Sequence, residues 1–362
     1  MMRQPTGKPN YRVGLAGASS LLGQEILRVL KARDFPVERL TTFEAEQEEP
    51  ELPVLDLSDH LGFEEAGEEV TPGCLDVLFL AARPRSKAGE PSLLGKALEA
   101  AGFTQGAPAQ TSCLVIDSAE ALSDVPGRTL HIPSLEDANP PLPLVSVAQI
   151  LESPHPATIV LSKLLLRLAR RFTVKNCVAQ VYLPASEMGP GAIEELQKQT
   201  VNLLSFQKIP QRIFGAQLAF NLLSRLPGKH AAEISAVESR IRRELRQYLA
   251  AHLPPPALQF YHVAVFYSLA FSVFVELEEK YTAEAVGAAL AGERVTIRRR
   301  SEAAPTQVEA AGAEGILLDA ITSDPDRPNG FWIWAAVDNI RLAAENAVEI
   351  AETLLPSRHA HQ

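Results

Sequence analysis

The segment 11–43, YRVGLAGASSLLGQEILRVLKARDFPVERLTTF, constrains the fold of this chain more than any other stretch. A short apolar strand at 13–16 runs into a glycine turn, and a helix with apolar residues at helical spacing follows it. A second strand is predicted near 40–43. Strand, glycine turn, helix and strand in this order predict a βαβ unit with a parallel sheet.

Two later runs extend this sheet. LDVLFLAA at 75–82 and CLVIDSA at 113–119 are continuously apolar, which is typical of parallel strands buried on both faces. A helix-like segment, 92–102, lies between them, and one further strand is predicted near 52–55. We therefore predict an α/β fold class, with a doubly wound parallel sheet over residues 1–150.

The pattern changes after DANPPLPLV at 137–145, where three prolines break regular structure. Long strand candidates and helices then predict an α+β domain with a mixed sheet over 151–337, with one sheet face free for a partner subunit. A last helix within 338–362 is predicted to return to the first domain. The predicted helices are 159–172, 191–204, 231–253 and 339–355, and the predicted strands are 175–184 and 261–278.

The glycine turn is a candidate phosphate site. Such a turn aims backbone N–H groups and the positive end of a helix at an anion, but Ser20 stands where a dinucleotide loop usually has a further glycine. Glu44 is placed to bind a ribose 2′-hydroxyl and to repel a 2′-phosphate, which favours NAD over NADP. The alternative is a tight turn that binds nothing. The candidate cofactor residues of this turn are Gly17, Ser19, Ser20, Leu21, Leu22 and Gly23.

Composition excludes several classes of protein. A net charge of −10 argues against nucleic acid or an anionic membrane surface as the main partner, since both require clustered Lys and Arg. No apolar run approaches the roughly 20 residues of a membrane span. Three cysteines at unrelated spacings predict reduced thiols, a cytoplasmic location and no structural metal.

Six ordered motifs resemble the aspartate-semialdehyde dehydrogenase family. Three of them are GASSLLGQE for the family's GATGAVGQE, IDSAEALS for IDNSSAFR, and ESPHPATI for ANPNCSTI. The others are VYLPASEMGPGAIEEL for TYQAVSGAGRAGVEEL, IFGAQLAFNLL for FPHQIAFNVI, and WAAVDNIRLAAENAVEIAE for VVADNLRKGAALNAVQIAE. The resemblance implies a Rossmann domain, completed by the C-terminal helix, and a dimerisation domain that forms a homodimer or pairs with a paralogue.

The resemblance also implies a reaction, the reversible reductive dephosphorylation of an acyl phosphate through a cysteine thioester, with NADPH as hydride donor. In this chain Pro156 takes the place of the nucleophilic cysteine, and Leu269 takes the place of the proton-transferring histidine. The positions of two arginines, a lysine and a glutamine that hold substrate or lie beside the nucleophile are taken by His262, Ser123, about Ser235 and Leu183.

Other residues offer no replacement for the lost groups. Cys74, Cys113 and Cys177 lie before or within predicted strands and are interpreted as core or interface residues. His155 lacks a visible acidic partner and is expected to face solvent or lie near a helix N-cap, while Thr158 is expected to cap the helix that starts near 159. Two residues of the family are retained elsewhere: Asp117 is expected to fix a strand end, and Asn339 is a candidate contact for a nicotinamide.

Three functions follow as hypotheses. The first is a catalytically inactive homologue, a pseudoenzyme that acts by binding a dinucleotide or another protein. The second is an oxidoreductase that uses NAD or NADP for altered chemistry on a less anionic substrate. The third is a genuine aspartate-semialdehyde dehydrogenase whose nucleophile lies elsewhere.

Overall fold

The computed structural model describes residues 10–43, 63–65, 71–82, 93–104, 107–108, 113–123, 125–136, 150–228 and 231–359. These residues form two compact units. Unit 1 comprises Met1–Pro154 and Ala343–Gln362, and unit 2 comprises His155–Leu342. The strand predicted near 52–55 lies outside the described residues, and so does Glu44.

Unit 1 contains a seven-stranded sheet in the order β3-β2-β1-β4-β7-β9-β8, in which every pairing is parallel. The strands are β1 (Tyr11–Ala16), β2 (Val37–Phe43), β3 (Phe63–Glu65), β4 (Val77–Leu80), β7 (Leu114–Asp117), β8 (Thr129–Leu130) and β9 (Ile150–Glu152), with β5 (Phe103–Thr104) and β6 (Ala107–Pro108) forming a separate pair. The helices are α1 (Leu21–Ala32), α2 (Leu93–Ala100), α3 (Pro133–Glu136) and, from Ala343 onward, α9 (Asn339–His359).

Apolar side chains cover both faces of this sheet, as the continuous apolar runs predicted. Leu15 and Phe79 pack on one face with residues of α1 and α9. Phe43 and Leu78 pack on the other face with residues of α2. The predicted doubly wound α/β architecture is confirmed, and the turn at 17–23 follows β1 at the place where the strand order reverses.

Unit 2 contains an eight-stranded mixed sheet in the order β11-β12-β10-β13-β17-β15-β14, with β16 paired to β17. The strands are β10 (Val174–Leu183), β11 (Leu222–Leu223), β12 (Ala257–Val263), β13 (Leu269–Leu277), β14 (Val295–Ile297), β15 (Ile316–Leu318), β16 (Thr322–Ser323) and β17 (Gly330–Val337). The helices are α4 (Pro156–Ala169), α5 (Pro190–Leu204), α6 (Ala231–Leu249), α7 (Ala283–Leu290) and α8 (Gln307–Ala310), and a short 3-10 turn spans Ala185–Met188. The predicted α+β character with a mixed sheet is confirmed.

The apolar stretch 261–278 forms two strands rather than one. β12 runs parallel to β10 on one side, and β13 runs antiparallel to it on the other. The chain turns between them because the carbonyls of Val265 and Phe266 accept the N–H groups of Ala185 and Ser186, just beyond β10. Ser268 completes the turn with a positive φ of 75°.

One face of the mixed sheet carries partly exposed aromatic and aliphatic side chains. Val178 of β10 is 42% exposed and Trp332 of β17 is 39% exposed. On the same face Tyr182 stacks on Tyr261 with ring centroids 5.7 Å apart and lies 5.9 Å from Trp334. This open face is the kind of surface that was predicted to accept a partner subunit.

In the part of the chain that the structure describes, no helix is long and apolar enough to span a membrane.

Candidate functional site

The turn at 17–23 in unit 1 depends on its two glycines. Gly17 has a φ of +81°, and a Cβ atom there would lie 2.6 Å from the Cβ of Ala82. A Cβ atom on Gly23 would lie 2.1 Å from the carbonyl oxygen of Gly17. The close approach of backbone to backbone therefore requires glycine at both positions.

Ser20 caps α1 with its side chain. Its Oγ accepts the N–H of Gly23 at 3.0 Å and donates to the carbonyl of Gly17 at 2.7 Å. Ser20 was predicted as a cofactor-binding residue, but the proton of its hydroxyl is directed at the turn itself. The first-turn N–H groups of Leu21 and Leu22 have no carbonyl partner within a helix, so the turn fits an anion through its backbone.

The helix that follows the nucleophile-loop motif, ESPHPATI, starts three residues earlier than predicted. α4 starts at Pro156, because proline is favoured at the first helical position, where its missing N–H costs nothing. The N-cap is His155, whose Nδ1 accepts the N–H of Ala157 at 3.1 Å. The prediction that Thr158 caps this helix is wrong.

Glu244 of α6 occupies the N-terminus of α4. Its Oε2 accepts the backbone N–H of His155 at 2.9 Å and the hydroxyl of Thr158 at 2.6 Å. Its Oε1 accepts Nε of Arg240 at 2.6 Å. All of these groups are buried, so a carboxylate of the chain itself interacts with the positive end of the helix.

His155 also has an acidic partner, contrary to the expectation from the sequence. Its side chain is 7% exposed, and its Nε2 lies 2.8 Å from Oε2 of Glu187. Because Nδ1 accepts a backbone N–H, the imidazole proton lies on Nε2 and is donated to Glu187. Of the two alternatives predicted for His155, exposure to solvent or a position near the N-cap, the structure has the second.

Asn339, the candidate nicotinamide contact, uses its side-chain amide within unit 2. Its Nδ2 donates to Oε1 of Glu187 at 2.7 Å, and its Oδ1 accepts the N–H of Ser268 at 3.1 Å. The amide also lies within hydrogen-bonding distance of Ser186 Oγ. We call the following group of unit 2 residues the polar cluster: His155, Thr158, Glu187, Arg240, Glu244 and Asn339.

Glu187 of the polar cluster and His262, which interacts with it electrostatically, have shifted pKa values. Burial favours the protonated form of Glu187, but His155, Asn339 and Arg240 outweigh it and hold the pKa of Glu187 below its ordinary value. Burial lowers the pKa of His262 to about 4, against the attraction of Glu187. His262 is therefore neutral at pH 7, unlike the arginine that the resemblance assigns to its place, and its Nε2 has no partner among the described residues.

Three of the substituted family positions lie in one row across the mixed sheet. His262 pairs with Leu183 in the register of β12 and β10. Tyr182 pairs with Ala270 in the antiparallel register of β10 and β13, which sets Leu183 beside Leu269. The row is therefore apolar except for a neutral imidazole.

The other candidate positions lie elsewhere. Ser123 belongs to unit 1, where its carbonyl accepts Arg128 at 2.6 Å. Ser235 is exposed on α6, whereas Arg240 is buried in the polar cluster. The resemblance places the family's lysine at the end of an EExK-like motif. The run 237–240, VESR, has a glutamate and a cation in the second and fourth places of that motif, and this signal could have identified Arg240.

The cysteines and Asp117 behave as expected. Cys113 is fully buried, and burial raises the pKa of Cys177 to about 12, so its thiol stays protonated. Asp117 accepts the N–H groups of Ala119, Ala121 and Leu122, which fixes the end of β7. Among the described residues, no three His, Cys, Asp or Glu side chains form a group that could hold a metal ion.

Comparison with known proteins finds one matching family model and several relatives. Residues 165–342 match the family model of the semialdehyde dehydrogenase dimerisation domain. An aspartate-semialdehyde dehydrogenase of Rickettsia bellii is 27% identical over 363 residues, covering 95% of this chain and 98% of that protein. Unit 2 therefore carries the dimerisation domain of the semialdehyde dehydrogenase family, and the chain is similar to aspartate-semialdehyde dehydrogenases over nearly its whole length. Another relative, a USG-1 protein homolog of Pseudomonas aeruginosa, is 26% identical, and the alignment covers 95% of this chain and 97% of that protein.

Solved structures of the family show the same fold. A probable aspartate-semialdehyde dehydrogenase of Pseudomonas aeruginosa has a TM-score of 0.75 at 24% identity, covering 96% of this chain and 99% of that one. Aspartate semialdehyde dehydrogenase II of Vibrio cholerae has a TM-score of 0.74 at 22% identity with the same coverage. These likenesses concern the architecture of both units.

Retained family motifs of unit 2 hold the backbone in place. The carboxylate of Glu195, in GAIEEL, accepts the N–H groups of Ile213 and Phe214. The amide oxygen of Gln199, one turn later, accepts those of Leu218 and Ala219. The polar residues of α5 therefore have a structural role, which is to hold the backbone of residues 213–219.

Proposed function

We propose that this chain is a semialdehyde dehydrogenase homologue that has lost the family's reaction and acts by binding, through a dinucleotide site in unit 1 and a protein-binding surface on unit 2. The observation that carries the proposal is the N-terminus of α4. Pro156 stands there in place of a thiol, and the neighbouring donors, the N–H of His155 and the hydroxyl of Thr158, are already bonded to Glu244.

The loss of the reaction follows from the chemistry of the substituted groups. A proline side chain has no nucleophile, so no thioester forms at this place. Leu269 transfers no proton, and His262, neutral at pH 7, supplies no charge to hold an anionic substrate. The cysteines elsewhere in the chain do not compensate. Cys113 is buried, Cys177 is held in the thiol form, and Cys74 is partly buried against the apolar core of unit 1, before the start of β4.

Dinucleotide binding rests on the turn at 17–23. Its backbone geometry leaves the N–H groups of Leu21 and Leu22 at the start of α1, where a pyrophosphate is bound in proteins with this type of sheet. The residues of the turn would hold the phosphates of NAD or NADP, which would supply a hydride carrier. NAD is favoured by Glu44, and this preference is a proposal from the sequence alone.

Partner binding rests on the open face of the mixed sheet. Val178, Tyr182, Tyr261, Trp332 and Trp334 give it an aromatic centre, and aromatic residues are enriched in protein interfaces. The partner is a second copy of this chain or a paralogue, in keeping with the dimerisation-domain match. We also propose a cytoplasmic location, because the three cysteines are unpaired.

The deciding experiment is a turnover assay with aspartate semialdehyde, phosphate and NADP, next to an active family member under the same conditions. We expect no turnover above the protein-free blank from this chain. Rates of the order found for the active enzyme would overturn the proposal and favour a genuine dehydrogenase. In that case a thiol-specific label reacting rapidly at one cysteine would identify the displaced nucleophile.

A second candidate function is an oxidoreductase with altered chemistry. The row of Leu183, Leu269 and neutral His262 favours it, because an apolar surface with one uncharged polar group suits a less anionic substrate than an acyl phosphate. Mass spectrometry of the purified protein tests it, since a tightly bound dinucleotide is expected of such an enzyme. Calorimetry showing no binding of NAD or NADP would exclude this candidate and the dinucleotide-binding part of the first.

A further inference from the structure

We propose that the polar cluster of unit 2 is a carboxylate-binding site that the chain fills with its own Glu187. The native protein then excludes small free carboxylates from this place, and they bind once the Glu187 side chain is removed. The inference rests on the proposed function in one respect, since it takes the cluster as the former place of the substrate.

The contacts of Glu187 are those of a bound carboxylate ligand. Each carboxylate oxygen accepts one hydrogen bond, Oε2 from His155 Nε2 at 2.8 Å and Oε1 from Asn339 Nδ2 at 2.7 Å. The charge of Arg240 also favours the anion. Two short bonds to the two oxygens of an ionised group are among the stronger hydrogen bonds in proteins.

The donors are oriented by groups other than Glu187. Nδ1 of His155 is fixed by the N–H of Ala157, which leaves the proton on Nε2. Oδ1 of Asn339 is fixed by the N–H of Ser268, which directs Nδ2 toward the carboxylate. Because these contacts do not involve Glu187, both donors are expected to keep their directions when that side chain is shortened.

The motif comparison shows that the carboxylate and one of its donors are substituted together. ESPHPATI has His155 where the family's ANPNCSTI has asparagine. VYLPASEMGPG has Glu187 where TYQAVSGAGRA has glycine, so a side chain enters a place where the family motif has none. These residues are 32 positions apart and meet in a direct hydrogen bond. A free carboxylate entering the same place would meet both the volume and the negative charge of Glu187.

The test uses Glu187→Gly, because this substitution removes a fragment with the size and charge of propionate. Calorimetry on the full chain at pH 7 is expected to show propionate binding to the variant with a Kd on the order of 1–10 mM. The melting temperature of the variant is expected to rise with propionate and not with propionamide, its uncharged isostere. Native protein and Glu187→Gln, whose side chain still fills the place, are expected to show neither effect.

The control is Glu194→Gly, which removes an exposed carboxylate paired with Lys198 and is expected to show no propionate effect. The proposal is overturned if Glu187→Gly has native near-ultraviolet circular dichroism and shows no response to about 100 mM propionate, at least roughly tenfold above the expected Kd. Equal binding by the native protein also overturns it.

A folding failure of the glycine variant still gives an answer. Refolding of Glu187→Gly in propionate, or of Glu187→Ala in acetate, is expected to restore soluble protein. Failure of both carboxylates to do so counts against the proposal. Turnover of aspartate semialdehyde by the native protein would contradict the proposed function alone, whereas missing propionate binding in a folded variant would contradict only this inference.

Discussion

The helices α1 and α4 begin in opposite ways. α1 is capped by Ser20, a neutral hydroxyl from the adjacent residue, which bonds to Gly17 and Gly23. α4 is capped by His155 and by the carboxylate of Glu244, which lies 89 positions away from His155 in the chain. A helix start attracts an anion, so the start of α1 is still suited to an external phosphate, whereas that of α4 has its anion supplied by the chain.

Under the proposed function, this difference separates the unit that keeps a ligand site from the unit that has lost one. The turn in unit 1 acts through its backbone, and its geometry survives as long as the two glycines remain. The reaction that the resemblance implies for unit 2 depends on side chains, and in this chain the side chains of the polar cluster bond to one another. Chemistry can therefore disappear from unit 2 while the backbone of both units stays typical of the family.

The largest expected effect comes from breaking the long-range cap of α4. Glu244→Gln removes the negative charge of a buried ion pair with Arg240 and weakens the bonds to His155 and Thr158. We expect a loss of about 4 kcal/mol in unfolding free energy. Urea unfolding followed by tryptophan fluorescence measures it, since Trp332 and Trp334, the two tryptophans of the chain, both lie in unit 2.

The matched control is Glu194→Gln, which breaks another pair with i,i+4 spacing, at the exposed surface of α5. An exposed pair contributes little, so no measurable change in unfolding is expected. Equal effects of Glu244→Gln and Glu194→Gln would show that the carboxylate at α4 is not a structural cap.

The next effect tests the local turn of unit 1. Gly23→Ala places a methyl group 2.1 Å from the backbone oxygen of Gly17, which cannot move as a side chain can. We expect a loss of about 3 kcal/mol, measured as faster hydrogen exchange in β1 and α1. Gly287→Ala is the control, since the nearest atom to its new Cβ is a side-chain carbon at 3.6 Å and alanine favours a helix. Slower exchange after Gly23→Ala would show that the turn has room for a Cβ.

Most of the architecture could be predicted from the sequence, because it depends on local patterns. Continuous apolar runs identified β4 and β7, and the glycine turn identified the start of α1. The start of α4 was misplaced because Thr158 resembles a cap, whereas Pro156 gives a first helical turn that needs no N–H there.

The polar cluster could not be predicted from the sequence, because its contacts are non-local. His155 meets Glu187 across 32 positions and Glu244 across 89. Glu187 also lies in the same motif as Glu195, whose carboxylate accepts backbone N–H groups. Nothing in the sequence distinguished the role of Glu187 from that of Glu195. Pairing of this kind depends on the register of β10 with its neighbours, which a single sequence does not encode locally.

An effect of intermediate size comes from acidification, which acts on His262 in unit 2. Its pKa is about 4 in the folded protein against an ordinary value of 6.5, so the unfolded chain binds the proton first. The stability due to this residue is complete above pH 6.5 and is lost as the pH falls toward 4. Between pH 7 and pH 5 we expect a loss of about 2 kcal/mol.

Comparison of variants isolates this contribution. His262→Phe, which cannot take up a proton, is expected to remove this part of the pH dependence in urea unfolding at pH 7, 6 and 5. His252→Gln changes an exposed histidine and is expected to leave the profile as it is. An unchanged slope in His262→Phe would mean that the pKa of His262 is the same in the folded and the unfolded protein.

The smallest effect distinguishes the two ways of satisfying a helix start. Thr158→Val keeps the shape of the side chain and removes the 2.6 Å bond to Glu244, while the N–H of His155 and Arg240 still hold that carboxylate. We expect a loss of about 1 kcal/mol in tryptophan-detected unfolding. Thr200→Val is the control, because the hydroxyl of Thr200 donates only to a carbonyl of its own helix and can be lost at little cost. If Thr158→Val cost as much as Glu244→Gln, the hydroxyl and not the charge would dominate the cap, and the contrast with Ser20 of α1 would be one of distance along the chain alone.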